Sequence, residues 1–366
     1  MAVQLDVGSW GLFTGVSGKQ LVLVDDEPCG PISARKITRA IPRRLLLDEQ
    51  RVTRAFEAHT GPEAIPDAIS VTHEGAEWTI KFRPVLSPRT STLVGLLAAV
   101  SPADEVLPEP PLIGSWEWEI ERDADGNPTP HRRTFWDRNL FHLYDVAPDV
   151  AQQKAGYWEV GIWANELIDQ TDQMRVSSSV RDGIQDGISG VRGTLRCLTY
   201  NVVTGYGSER RGRRHLRLVG QVPTDQPADK LILQGFSYAA PETFHDMAFE
   251  QDAARVDDVL RGVMDLAGEP MAVLDPSTLD VLMTSPAWRR QDFGHVGGLG
   301  EIAADDPAQI QEFITAAVNG DTSTSRSAEV RIRRQDGSIQ NARITVTAVR
   351  VRASHGGYDA LLKMDF

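Results

Sequence analysis

Cysteine is scarce in this sequence of 366 residues, which contains only Cys29 and Cys197, far apart along the chain. Two distant thiols exclude a disulfide framework and a cysteine-rich zinc site. Because disulfide-rich proteins belong to oxidising compartments, this scarcity favours the reducing cytoplasm. We therefore expect a cytoplasmic protein that binds no metal through its cysteines.

Long hydrophobic runs are also missing. The longest apolar run lies around residues 93–100, well below the roughly 20 residues that a membrane-spanning helix needs. The first ten residues, MAVQLDVGSW, have no basic segment followed by an apolar one. We therefore expect neither a signal peptide nor a membrane partner.

Positive charge is in deficit, because 38 Lys and Arg face 51 Asp and Glu, for a net charge of −13. Binding to nucleic acid depends on a basic face that attracts phosphates, so we expect no nucleic-acid partner. Hydrophobic residues make up 41% and charged residues 24% of the chain, which is ordinary for a folded protein.

Two candidate domain boundaries divide the chain. Residues 101–111, SPADEVLPEPP, combine four prolines with three acids, a composition typical of an extended spacer. Near residues 240–252 a strand-like run ends and a helical pattern begins. We therefore predict domains at 1–106, 112–242 and 246–366, the last of which opens with a linker helix.

The third predicted domain has the most regular pattern. Its apolar periodicity and turn residues predict two strands, then helices, then antiparallel strands. The predicted strands are 271–274, 281–284, 329–334 and 338–350, and the main predicted helix is 307–319. Either Asp305 or Asp306 can cap this helix at its start.

These residues resemble the PAS family of sensor domains. The segments MAVLDPSTLDVLMTSPAW, EIAADDPAQIQEFITAAVNG and EVRIRRQDGSI are similar to three PAS motifs and follow in the same order. In the middle domain, GSWEWEI at 114–120 and RNLFHLYDV at 138–146 resemble a PAS strand and helix, with Asp145 where glycine is usual. The related GAF fold remains open for this domain.

The first domain has the same order of elements without sharp motifs. The whole chain thus resembles actinobacterial triple-sensor proteins, in which PAS and GAF-like domains follow one another without an output domain. The resemblance implies an α+β fold with three consecutive PAS/GAF-like domains, each an antiparallel sheet with helices on one side.

The resemblance also implies a small molecule held between sheet and helices. A haem-binding version has an axial ligand, usually His, on the helix that faces the sheet, but helix 307–319 has no His, Cys or Tyr. A cysteine-adduct flavin version needs a thiol, and the third domain has none. These two cofactors are disfavoured, which leaves a small apolar ligand facing Phe313, Ile332 and Ile344, or a plain core at those positions.

One basic cluster and one apolar seam are candidates for partner binding. The basic cluster consists of Arg210, Arg211, Arg213, Arg214 and Arg217. It could contact an acidic partner, or it could form a solvated hairpin tip. The seam, within residues 253–267, places Ala253, Val256, Leu260, Val263 and Ala267 at heptad-like spacing. It could pair two chains as a homodimer or pack on its own domain.

No kinase phosphoacceptor motif, cyclase motif or helix-turn-helix with a basic recognition helix is evident in the sequence. We therefore expect a non-enzymatic cytoplasmic signalling or sensor protein that binds a small ligand or a protein partner. An unidentified signalling protein would carry the output. The alternatives are an enzyme with a site at a domain interface and a structural adaptor.

Overall fold

In the computed structural model of the chain, not every residue is described. The described residues are 3–58, 65–123, 126, 128–154, 157–159, 163–246, 260, 262–264, 266–276, 279, 281–291, 299–319, 324–334, 336–349 and 359–366.

The described chain has an α+β fold with three antiparallel sheets, which confirms the predicted fold class at this level. The strands of sheet 1 are β1 Trp10–Thr14, β2 Gln20–Val24, β3 Glu27–Ser33, β4 Ala68–His73, β5 Ala76–Leu86 and β6 Leu93–Pro102. Those of sheet 2 are β7 Gly114–Arg122, β8 Pro128–Trp136, β9 Tyr157–Glu159, β10 Arg196–Thr204, β11 Gly212–Gln221 and β12 Lys230–Ala239. Those of sheet 3 are β13 Met271–Leu274, β14 Val281–Thr284, β15 Arg326–Arg333, β16 Ile339–Val349 and β17 Asp359–Asp365.

The helices are α1 Ile41–Arg43, α2 Arg51–Ala58, α3 Arg138–Leu143, α4 Pro148–Lys154, α5 Gln173–Ile188, α6 Pro286–Arg289, α7 Leu299–Ile302 and α8 Pro307–Asn319. Most of them lie between the first and the second half of the strands of each sheet, whereas α3 and α4 lie between β8 and β9. Arg44–Asp48 and Trp163–Leu167 form π-helical turns, and Val16–Gly18 and Ala34–Lys36 are short 3₁₀ turns. Among the described helices, none is both long and apolar enough to cross a membrane.

The three sheets share one strand order. Sheet 1 runs β3-β2-β1-β6-β5-β4 and sheet 2 runs β10-β11-β12-β7-β8-β9, which is the same order read from the other edge. Sheet 3 runs β14-β13-β17-β16-β15, the same order without the outer strand next to β14. In each case the first strand pairs with the last, and the two halves of the sheet are connected by α1 and α2 in sheet 1, by α5 in sheet 2 and by α6–α8 in sheet 3.

Position within the sheet explains the sequence of each strand. β6 is central in sheet 1, and its residues are buried on both faces from Leu93 to Ser101, so it reads as one apolar run. β15 is an edge strand, and its buried residues Val330 and Ile332 alternate with exposed ones, as expected where only one face is covered.

The chain forms two compact units. Unit 1 comprises residues 1–119, 133–158 and 183–246, and unit 2 comprises residues 120–132, 159–182 and 247–366. The predicted division into three domains stays a prediction.

In unit 1, residues of sheets 1 and 2 share one apolar core. Leu12 and Leu97 of sheet 1 belong to the same buried cluster as Val219 and Phe236 of sheet 2. Leu107, from the proline-rich stretch that the sequence predicts to be an extended spacer, is buried in this cluster too. The indole of Trp10 also donates to the Pro108 carbonyl oxygen, at 2.9 Å. Residues 103–106, 108 and 109 are exposed, so this stretch is anchored at Leu107 and at the Pro108 carbonyl, and its role as a spacer between domains stays a prediction.

In unit 2, sheet 3 is covered on both faces. Helix α8 packs on β16 and β17, and its Ile310 and Ile314 join the main core of this sheet. A smaller cluster on the opposite face contains Met264 and Val273.

Candidate functional site

The helix-covered face of sheet 2 carries five aromatic side chains, which we call the aromatic cluster: Trp116, Trp136, Phe141, Tyr144 and Tyr200. The Trp136 ring lies 4.5 Å from the Tyr144 ring and 5.3 Å from the Phe141 ring. The hydroxyl groups of Tyr144 and Tyr200 are 2.9 Å apart, and each tyrosine is only 1% exposed. The cluster therefore buries hydrogen-bonding hydroxyls among aromatic rings.

Helix α3 positions Tyr144 through capping at both ends. The helix begins after Asp137, whose carboxylate accepts a hydrogen bond from the Leu140 amide at 2.7 Å. It ends at Tyr144, and Asp145 then adopts a left-handed φ of 49°. Asp is among the few non-glycine residues that tolerate this conformation at a helix end. This accounts for Asp145 at the place where the PAS pattern usually has glycine.

Trp116 reaches the same face of sheet 2 from β7. A Cβ atom on Gly114, two residues earlier, would meet the backbone of Leu140 in α3, and side chains two apart on a strand share a face. The Trp116 ring lies over Gly220 and Gly235, where a Cβ would come within 2.7 and 2.6 Å of it. The two glycines therefore make room for the indole.

The indole Nε1 of Trp116 is a buried donor without a partner in the part of the chain that the structure describes. Trp116 is 8% exposed, and buried polar groups are nearly always hydrogen-bonded. Trp116 Nε1 is one of several buried side-chain nitrogen and oxygen atoms for which the described residues offer no partner.

The aromatic cluster is electrically neutral. Burial raises the pKa of Tyr200, so its hydroxyl stays protonated at neutral pH. Among the described residues, no three His, Cys, Asp or Glu side chains converge as metal ligands. The arrangement suits a largely apolar molecule that offers one or two hydrogen-bond acceptors.

In sheet 3 the predicted ligand-facing residues lie in or against the main core. Ile332 and Ile344 are fully buried there, and Phe313 is partly buried against the same cluster. A groove of about 420 Å³ lies along α8, but Gln311, Thr315 and other residues of the opposite helix face line it. Ligand binding at the three predicted residues stays a prediction.

The structure separates the five predicted partner-binding arginines. Arg210, Arg211 and Arg213 are exposed on the hairpin between β10 and β11, and Arg214 is half-buried. Arg214 donates to the carbonyl oxygens of His142 and Leu143. Arg217 is 0% exposed. Its expected place on a surface cluster is wrong, because this part of β11 lies beneath sheet 1.

Glycine sets the shape of the hairpin that carries the exposed arginines. Gly205 and Gly207 have φ values of 79° and 81°, which glycine adopts without strain. A Cβ on Gly205 would fall 1.9 Å from the Arg210 carbonyl oxygen. The guanidinium of Arg211 lies 5.2 Å from the Tyr206 ring centre. The hairpin therefore presents its charges from an ordered turn.

The two thiols lie near the buried guanidinium of Arg217. Burial raises the pKa of Cys29 to about 11 and that of Cys197 to about 12, although Arg217 lowers both. Both thiols therefore stay protonated at neutral pH and are poor nucleophiles.

The predicted helical seam is described only in part, because Ala253 and Val256 lie outside the described residues. Leu260 is half-buried and packs on the smaller cluster of sheet 3. Val263 is 52% exposed, and Ala267 is half-buried. In the described part of the seam, Leu260 therefore packs on sheet 3, whereas Val263 faces solvent.

Unit 2 contains a buried ionic cluster that no sequence motif indicates. Arg181 of α5 lies 2.5 Å from Asp275 and 2.7 Å from Asp359. The carboxylates are 6% and 5% exposed. Burial raises the pKa of Asp359 to about 6, with Asp275 also raising it and Arg181 lowering it. The ion triad joins helix α5 to the ends of two strands of sheet 3.

Sequence reasoning missed the aromatic cluster, although its residues fall in segments with motif-like patterns. Trp116 lies in GSWEWEI, and Phe141 and Tyr144 lie in RNLFHLYDV. An aromatic residue in a strand or helix is usually core, and a missing partner among the described residues, as for Nε1 of Trp116 and of Trp78, is the signal that sets an indole apart. That signal exists only in three dimensions.

No known protein-family model matches this chain, and no curated protein is detectably similar in sequence. An uncharacterized protein from Mycobacterium tuberculosis, solved as a crystal structure, is similar over 98% of this chain and 96% of its own length. Its TM-score is 0.62 and its sequence identity is 14%. This likeness shows that another protein has the same fold over almost its full length.

Two PAS domains align with a smaller part of the chain. The PAS domain of an HTR-like protein from Haloarcula marismortui covers 31% of this chain and 93% of its own, at 14% identity and a TM-score of 0.25. A PAS domain from a two-component sensor histidine kinase covers 29% and 92%, at 14% identity and a TM-score of 0.22. Both of these TM-scores are below 0.5, and the similarity to the Mycobacterium tuberculosis protein establishes the fold alone.

Proposed function

We propose that this protein is a non-enzymatic sensor whose three sheets are PAS/GAF-like modules and whose output is carried by a partner protein. The recurrence of one strand order in all three sheets, with helices inserted between the early and late strands, carries the proposal. It agrees with the PAS-like order of elements and motifs in the sequence of the third module.

The sensing site in this proposal is the helix-covered face of sheet 2. The unpaired Nε1 of Trp116 and the paired hydroxyls of Tyr144 and Tyr200 supply hydrogen bonds. The surrounding rings supply apolar contact. The expected ligand is a small, mostly apolar molecule with a carbonyl or similar acceptor that pairs with Trp116.

The partner surface in this proposal is the hairpin between β10 and β11. Arg210, Arg211 and Arg213 are exposed there, and arginine favours carboxylates through its planar fork. An acidic protein segment is the expected partner. Pairing of two chains through residues 253–267 is a further part of the proposal.

Native mass spectrometry of the purified chain tests the sensing site. A small molecule retained by the wild type should be lost from the Trp116→Phe variant, because phenylalanine keeps an aromatic ring but has no N–H. Trp78→Phe is the matched control, since Trp78 Nε1 is also buried without a partner but belongs to sheet 1. Equal loss from both variants, or no retained molecule in any preparation, would contradict the proposed site.

A further inference from the structure

The side chain of Arg217 divides its hydrogen bonds between two directions. Its Nη1 donates to the carbonyl oxygens of Val22 and Cys29, at 2.9 and 2.6 Å, and to the Tyr238 hydroxyl at 2.7 Å. Its Nε and Nη2 donate to the Asp246 carboxylate at 3.0 and 2.6 Å. Nη1 is thus hydrogen-bonded to residues of the two sheets, whereas Nε and Nη2 are hydrogen-bonded to a single carboxylate.

Because Nη1 is held by these hydrogen bonds, Nε and Nη2 form a preformed pair of parallel donors, which we call the fork. Val22 and Cys29 lie on neighbouring strands of sheet 1, and Tyr238 lies on β12 of sheet 2. These contacts hold the guanidinium in place whether or not Asp246 is bound. Two parallel N–H donors on one edge match the two oxygens of a carboxylate, which adds strength and geometric selectivity.

Residues 241–246, which we call the strap, bring Asp246 to this fork. The Phe244 ring centre lies 5.0 Å from the guanidinium, and the Phe244 carbonyl oxygen accepts from His215 Nε2 at 3.1 Å. None of these six residues, all of which are described, belongs to the buried core. Polar contacts and one ring therefore hold the strap on unit 1.

We propose that the Nε/Nη2 edge of Arg217 is a binding site for a carboxylate ligand and that Asp246 occupies it in cis as a displaceable latch. A free carboxylate that takes the fork releases the strap, which leads directly into residue 247 at the start of the last segment of unit 2. Because Asp246 is tethered, it competes for the fork at a high effective concentration. The latch therefore raises the concentration of free carboxylate that is needed to occupy the site. This site is separate from the sensing site proposed above, and either can fail without the other.

Chemical rescue of an Asp246→Ala variant tests the site, with formate as the probe. Formate should raise the Tm of this variant in a saturable way, because it restores the two hydrogen bonds at the fork. Wild type should need roughly tenfold more formate or more for an equal fractional response, since Asp246 must first leave. Chloride at equal ionic strength should have no such effect.

Asp186→Ala is the matched control, because Asp186 also pairs with an arginine of unit 1, Arg196, at 2.6 Å. Equal rescue of both variants by formate, or stronger rescue of Asp246→Ala by inorganic phosphate, would overturn the proposal. If Asp246→Ala does not fold, hydrogen exchange of the wild type decides. Formate should then speed exchange at the Phe244 amide, which is bonded to the Pro241 carbonyl oxygen at 2.9 Å, and an unchanged rate would refute the latch.

Discussion

The arginines at 210–217 show how residues that are close in sequence acquire different roles. Arg210 and Arg211 lie at or before the start of β11, where the hairpin projects from the sheet. Arg217 lies where β11 is paired on both sides, opposite Thr199 and Tyr238. Burial of a charge is tolerated there because every direction from the guanidinium has an acceptor.

Replacement of Arg217 by alanine should destabilise the protein by about 3–5 kcal/mol, because it leaves the buried carbonyl oxygens of Val22 and Cys29 and the Tyr238 hydroxyl without their donor. Arg210→Ala, at an exposed position of the same sequence cluster, should change the stability by less than about 0.5 kcal/mol. Urea unfolding of both variants measures the difference. Equal effects would mean that Arg217 is not buried as the structure describes.

Asp359 should give unit 2 an unusual dependence on pH. Its pKa is raised from 3.8 to about 6, so the folded state holds a proton that the unfolded state releases. Stability from this group is therefore present below pH 4 and is lost as the pH rises through 6, by roughly 1 kcal/mol between pH 5 and pH 7. Urea unfolding at both pH values measures this loss.

Two variants in β17 test this prediction, one at Asp359 and one at Asp365 as the matched control. Asp359→Asn should remove the loss between pH 5 and pH 7, because the amide does not titrate. Asp365→Asn, at the exposed end of β17, should keep it. A wild type whose stability rises over this range, with no difference between the variants, would contradict the raised pKa.

At the scale of single elements, periodicity in the sequence predicts well wherever one face of an element is buried. The strands β13 and β14 and the helix α8 begin and end at the predicted residues. β3 and β17 were not predicted. β3 carries Pro28, Gly30 and Pro31 and forms a strand because it pairs with β2 at the sheet edge.

The start of α8 was predicted with two candidate caps, and the structure decides between them. The Asp306 carboxylate accepts from the Ala308 amide at 2.9 Å, whereas Asp305 binds the backbone and side chain of Arg331. Asp306→Ala should therefore lower the free energy of unfolding by about 1 kcal/mol, with the loss of hydrogen-exchange protection greatest in the first turn of α8. Asp305→Ala should spare that turn and instead weaken protection near β15; the reverse pattern would contradict the assignment.

Gly235 in β12 should not tolerate a side chain. Its Cβ would lie 2.1 Å from the Val219 carbonyl oxygen and 2.6 Å from the Trp116 ring, so Gly235→Ala should cost about 1–3 kcal/mol or more through overpacking and alter tryptophan fluorescence. Gly30→Ala is the control in β3, where nothing lies within 4 Å. Thermal unfolding that is unchanged in Gly235→Ala would argue against the close approach of Trp116.

At the scale of the whole molecule, the proposed homodimer is tested at the exposed part of the seam. Val263→Asp should convert a dimer to a monomer without loss of stability, because Val263 is 52% exposed. Leu260→Asp should instead destabilise unit 2, since Leu260 packs on the cluster of Met264 and Val273. Light scattering coupled to size exclusion measures the mass, and a wild-type monomer at high concentration would refute the pairing.

The scarcity of cysteine, the short apolar runs and the periodic patterns by themselves determined much about this protein. Strand and helix patterns depend on local alternation between buried and exposed residues, so the α+β class and the elements β13, β14 and α8 of the third segment could be predicted from the sequence. Only the tertiary structure decided which face of β11 buries Arg217, that Leu107 packs into a core, and that Trp116 Nε1 has no partner among the described residues. These features depend on contacts between residues far apart in the chain, as between Arg217 and Val22, and no local pattern encodes such pairs.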